Sequence, residues 1–189
     1  MSRIVPLEPP YSPDADEVLR AMMPRRAAVE PLRLFRTLAT HPRLAAAMTA
    51  VGRFVLGREP TLSLRERELL IDRTCARCGC AYEWGVHVAV FGPASCLSPE
   101  ELTATAAAHP ESGIRAPRDL LLVRLVDELH DTGTVSDDLW ARLAARWTPT
   151  SLLEMLLVVG WYHAISYIAN GARVEREPWA PDFPAGDGR

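Results

Sequence analysis

Residues 62–91 read LSLRERELLIDRTCARCGCAYEWGVHVAVF, and two consecutive helices can be drawn from that stretch before anything else in the chain. Ser63-Leu-Arg-Glu66 is a capping box: the serine hydroxyl accepts from the Glu66 amide while the glutamate reaches back, which starts a helix at Leu64. Gly79 supplies the left-handed residue that ends it. A second helix then runs from about Cys80 to Phe91, where Gly92-Pro93 stops it. Glu83 and His87, four positions apart, share one face of that second helix. Cys80 falls in its first turn, where unsatisfied amides and the positive end of the dipole favour a thiolate.

The same signals recur outward from this stretch. Apolar residues repeat at three and four positions and the breaks fall at Pro and Gly, so the chain predicts an all-α protein. Helices are expected over about 14–23, 31–39, 42–56, 99–108, 117–131, 136–147 and 150–174. The last is apolar nearly all round and is expected to be the central, most buried element. One domain suffices for 189 residues. Residues 1–30 form an N-terminal extension, 31–175 the helical core, and 176–189 an extended Pro- and Gly-rich tail, mobile or lying on a neighbouring subunit.

Composition removes several chemistries. The 21 basic and 24 acidic residues give a net charge of −3, and every basic residue is arginine. Without lysine there is no Schiff base, no P-loop lysine and no lysine general base. The mild negative charge argues against nucleic-acid or anionic-membrane partners. The first residues lack the apolar run of a secretory signal, and the longest apolar segment, 152–168, is interrupted by Glu154 and His163. A cytoplasmic protein with reduced thiols is therefore expected. Cys75-Ala-Arg-Cys78 is a CxxC, but zinc requires two further ligands and the sequence holds no second CxxC or CxxH to supply them. Glu68, Glu83 and His87 form a conceivable two-carboxylate, one-histidine set, although the neighbouring thiol suits softer metals than carboxylates do. No metal and no cofactor are expected.

The spacing carries a resemblance. Glu68 is followed by eleven residues to Cys80, then two to Glu83 and three to His87. This pattern resembles the carboxymuconolactone decarboxylase and AhpD-like alkylhydroperoxidase superfamily, whose redox branch has a glutamate, eleven residues and then Cys-x-x-Cys-x-x-x-His. Here Glu83 replaces the second cysteine, as in variants of the decarboxylase-like branch. The likeness extends from about Pro31 through Thr40-His-Pro42 and Arg65-Glu-Arg-Glu68 to Gly160-Trp-Tyr-His163 and the segment 170–175. It implies an AhpD-like helical bundle, a small-molecule substrate and a homo-oligomer, whether dimer, trimer or hexamer.

Glu68, Cys80, Glu83 and His87 are accordingly the expected catalytic residues, in a mostly apolar pocket lined by Tyr82, Trp84, Trp161, Tyr162 and His163. Arg73, Arg77 and Arg173 flank it and are candidates to hold a substrate anion. Two chemistries remain open. Carboxylates beside an imidazole can move protons next to a carbonyl, as decarboxylation, isomerisation or lactone chemistry requires. Alternatively Cys80 attacks a hydroperoxide, with Cys75 or a small thiol resolving it. A binding protein that has kept the fold without the chemistry is the third reading. His41 is expected as a cap or turn element, and His109 and His130 as structural residues at helix ends.

Overall fold

The protein is described by a computed structural model covering residues 1–23, 30–57 and 59–184. Its elements are α1 (Pro13–Met22), α2 (Arg33–Leu38), α3 (Pro42–Leu56), α4 (Leu64–Arg77), α5 (Ala81–Val90), α6 (Gly92–Ser95), α7 (Pro99–Thr105), a 3-10 turn (Pro110–Ser112), α8 (Pro117–Thr132), α9 (Asp137–Ala144) and α10 (Pro149–Ala172). No strand occurs among the described residues, so the chain is an all-α bundle.

The capping box of α4 is formed in both directions, with the Ser63 amide donating to Glu66 at 2.9 Å. Its other end closes as a Schellman motif. Gly79 adopts φ +61°, and the amides of Gly79 and Cys80 return to the carbonyls of Ala76 and Cys75. That reversal starts α5 at once, and α5 folds back against α4. His41 caps α3, its Nδ1 accepting from the Leu44 amide at 3.3 Å. The Gly92-Pro93 break admits one further short turn, α6, because proline is compatible with the first turn of a new helix.

Two expectations are corrected here. The central element is α4, which packs against α5, α6, α7, α8 and α10. It is polar in composition, yet Glu66, Arg67, Glu68, Asp72 and Arg73 are all buried with its apolar residues. Helix α10 is apolar all round but buried on one side only: Leu153 and Tyr167 are 69% and 66% exposed. A helix that is apolar all round need not be buried all round. By length and hydropathy α10 could cross a bilayer, but half of its most apolar window lies inside the bundle, as in a core helix.

The second correction concerns the tail. Residues 177–184 fold back onto the chain itself. Glu177 accepts from the Arg33 amide at 2.6 Å and from the Tyr82 hydroxyl at 2.7 Å. The Phe183 ring lies 5.3 Å from Trp84. A Cβ at Gly85 would sit 2.2 Å from the Pro181 carbonyl oxygen, so the tail backbone occupies the space that glycine leaves on α5. Residues 185–189 lie outside the described residues.

Candidate functional site

Glu68 projects from the middle of α4 and His87 from the last turn of α5. Glu68 accepts from the Arg67 guanidinium (Nε) at 2.9 Å and lies 2.7 Å from His87 Nδ1. A carboxylate beside a guanidinium only accepts, so the network assigns the proton to Nδ1. The Nε2 of His87 then faces the Tyr162 hydroxyl of α10 at 2.8 Å, with a Glu83 oxygen 3.9 Å away. The imidazole is held between Phe91, stacked at 5.0 Å, and the edge of Tyr162. Arg67 lies over the other ring system, 5.4 Å from the Phe91 centroid.

Burial sets the electrostatics. It disfavours the His87 imidazolium, but the charge and hydrogen bond of Glu68, with Glu83 and Asp72 behind it, outweigh that and raise the pKa above 6.5. Burial raises Glu83, with His87 opposing only in part. Asp72 is raised well above the carboxylate range by burial and by Glu68. Tyr162 is raised by burial and by the two glutamates. One helix turn apart on α4, Glu68 and Asp72 thus both act on the imidazole.

Cys80 is fully buried, and burial together with Glu83 pushes its thiol up to about 12. The thiolate expected at a helix N-terminus is therefore not favoured. The loss of solvation and the adjacent carboxylate outweigh the Glu83 amide and the Ser166 hydroxyl, which pull the other way. Cys75 is raised further by burial and by Cys80, Glu83 and Asp72. All four cysteines are free thiols.

Glu68, Glu83, His87 and Tyr162 are brought together, with Cys80 beside Glu83. Other expected residues stand elsewhere. The Tyr82 hydroxyl accepts from the Leu34 amide at 3.0 Å and donates to Glu177, tying α5 to α2 and the tail. Trp84 donates to the Thr105 hydroxyl at 2.9 Å, anchoring α7. His163 pairs with His130, and Trp161 is half-buried on α10. Residues on one short helix point to every side of it, and the neighbouring helices decide which side becomes the site.

Of the flanking arginines, Arg73 and Arg77 are likewise committed. Arg73 forms a fork with Asp127 at 2.8 and 3.1 Å and caps the carbonyls of Thr105 and Ala107. Arg77 pairs with Asp131, and Arg173 ends α10 at φ +52°. The arginine of the site is Arg67, and the additional acid is Asp72. Both were readable as neighbours of Glu68, at one position and at i+4, on a helix whose buried face is polar.

The chain has relatives by sequence and by shape. Residues 42–111, which include Glu68 to His87, match the Carboxymuconolactone decarboxylase family. No curated protein matches it in sequence. In fold it is similar to a peroxidase-related protein from Silicibacter sp. TM1040, at 14% identity over 96% of both chains with a TM-score of 0.78. It is equally similar to an alkylhydroperoxidase AhpD core protein from Ralstonia eutropha JMP134, at 17% identity over 93% of both chains and TM-score 0.78. The debrominase Bmp8 follows at 12% identity, covering 93% of this chain and 92% of that one, with TM-score 0.67. The fold is thus that of the AhpD-like helical proteins. The segment 42–111 is similar to the carboxymuconolactone decarboxylase family, and the described chain shares the AhpD-like fold.

Asp72 yields a stability prediction. Its Oδ1 is buried with no hydrogen-bond partner among the described residues, and its folded pKa is raised. The stability it permits is therefore complete below the unfolded value, about 3.9, and is lost as pH rises through the folded value. Asp72→Asn, which cannot ionise, should flatten the decline of denaturant-unfolding stability as pH rises above the unfolded value of about 3.9. An unchanged slope would mean that Asp72 titrates alike in both states.

Proposed function

We propose that the Glu68, His87, Tyr162 and Glu83 cluster is an acid–base centre. It would move a proton to or from a carbon adjacent to a carbonyl in a small carboxylated or carbonyl substrate, the step common to decarboxylation, isomerisation and lactone chemistry. The observation that carries this reading is the position of His87 Nε2. It lies at hydrogen-bonding distance from Tyr162 and 3.9 Å from a carboxyl whose pKa is raised, while Nδ1 is fixed by Glu68. An imidazole oriented by a carboxylate serves as base, and the neighbouring Glu83 carboxyl, whose pKa burial raises, is the group placed to serve as acid. Arg67 supplies a permanently charged, buried guanidinium beside Glu68.

The thiol-peroxidase reading is less well supported. The attacking group of a peroxidase is a thiolate. Cys80 is buried with its thiol raised to about 12, and Glu83 occupies the position of a second motif cysteine. The two readings separate in one experiment. Solvent deuterium incorporation next to the carbonyl of a panel of keto acids and lactones, followed by NMR, should fall about 100-fold or more in Glu83→Gln and His87→Gln and persist in Cys80→Ser. Dithiol-dependent turnover of an organic hydroperoxide that vanishes in Cys80→Ser, with no exchange in any protein, would replace this reading with the peroxidase one.

We further propose that the chain self-associates through α10. Leu153, Leu157, Gly160, Ala164, Tyr167 and Gly171 are exposed and spaced four, three, four, three and four apart, so they form one straight apolar stripe. Small residues within it let a second helix approach closely, and a second copy of α10 is the occupant that matches the pattern. Light scattering on the native chain should give at least a dimer, and Leu157→Glu should lower the mass. A monomeric native protein would refute the assembly.

A further inference from the structure

The two histidines and the cysteine that the acid–base centre leaves unused meet at one place. Cys78 ends α4, His130 lies in the last turn of α8, and His163 lies on α10. All three are half-buried, and their sulfur and ring nitrogens lie within 4.8 Å of one another. His130 Nδ1 is 3.0 Å from His163 Nε2.

We propose that Cys78, His130 and His163 form a metal-binding site for a borderline-soft divalent cation of the zinc class, separate from the acid–base centre and sharing no residue with it. The donor set is the first argument. One thiolate and two imidazoles suit zinc and comparable ions, and disfavour magnesium and calcium, which take oxygen ligands. Three protein ligands leave a fourth tetrahedral position for water or a substrate atom.

Geometry is the second. A tetrahedral ion at about 2.0–2.1 Å from nitrogen and about 2.3 Å from sulfur needs ligand atoms about 3.3 Å apart between nitrogens and about 3.6 Å between nitrogen and sulfur. The observed pair of nitrogens is within a few tenths of an ångström of that.

Two of the three ligands are also held from behind. His163 Nδ1 lies 2.9 Å from the Val159 carbonyl. A carbonyl only accepts, so Nδ1 carries the proton and the Nε2 lone pair faces the cluster, the orienting bond usual for a ligating histidine. Cys78 is fixed by the Schellman turn, and the Asn170 side chain of α10 donates to its carbonyl at 2.9 Å. Arg77, whose charge acts on both Cys78 and His130, is paired with Asp131 and lies 3.5 Å from Asp127, so that charge is offset by neighbouring carboxylates. Binding transfers the Cys78 thiol proton to solvent, one proton per ion, and leaves His130 with its proton on Nε2.

The CxxC motif gave no zinc ligands in sequence because its partners come from two other helices, 52 and 85 residues beyond Cys78. The site takes Cys78 of that motif and leaves Cys75 in the core.

The test uses the full chain freed of metal by a chelator and titrated with zinc against a colorimetric competitor. A parallel titration with cobalt reads the visible bands of a tetrahedral, thiolate-bound ion. One ion per chain is expected. Affinity should fall at least ~10-fold in Cys78→Ser, His130→Gln and His163→Gln, and remain unchanged in Cys96→Ser and Cys80→Ser. The near-isosteric serine keeps the fold, checked by circular dichroism. No stoichiometric ion, or zinc affinity and cobalt bands unaltered in Cys78→Ser, would overturn the site. A site surviving in His87→Gln while proton exchange is lost would confirm that the two centres stand apart.

Discussion

A carboxylate at the centre of a helical bundle is tolerable only when its charge is shared and its lone pairs are filled. Glu68 is 1% exposed, and the bundle is arranged around satisfying it. Arg67 supplies one donor from the same helix, and His87 supplies the other from α5. His87 in turn reaches Tyr162 on α10. One buried charge therefore fixes the mutual positions of three helices, and the same contacts that hold them define the chemical centre. Elsewhere on α4 the arrangement repeats with different partners: Glu66 takes the Trp147 indole at 2.7 Å and Arg118, and Arg73 takes Asp127.

The use of arginine alone fits this architecture. A planar guanidinium that stays charged can fill a carboxylate's lone pairs without the option of neutralising itself by losing a proton. Arg67 and Arg73 are both buried in this way. The proton chemistry is consequently left to carboxyls, an imidazole, a phenol and thiols. Among these, burial separates the roles: it raises the thiols of Cys75, Cys78 and Cys80 and the Glu83 carboxyl, while the Glu68 contact keeps His87 basic.

Much of this was legible in the sequence. Ser63, Glu66 and Gly79 define α4 through local hydrogen bonds that involve only a few neighbouring residues, and such signals survive in any context. The spacing from Glu68 to His87 identified which two helices must meet. What could not be read was which side of each helix meets the third. Tyr82 and Trp84 lie close to His87 in sequence, yet their polar atoms serve Glu177 and Thr105. Nothing local to Asp72 marks it as buried; its environment comes from α4 being enclosed by five other helices. The tail looked extended by its prolines, and Gly85 is what lets it lie on α5.

The account depends on the Glu68–His87 contact, and the state of that imidazole reports it directly. Nitrogen-detected NMR of His87 across pH should show a pKa above 6.5 with the neutral form protonated at Nδ1, and in Glu68→Gln the pKa should move down. A pKa below 6.5, or a neutral form protonated at Nε2, would mean that burial dominates and that Glu68 does not orient the ring.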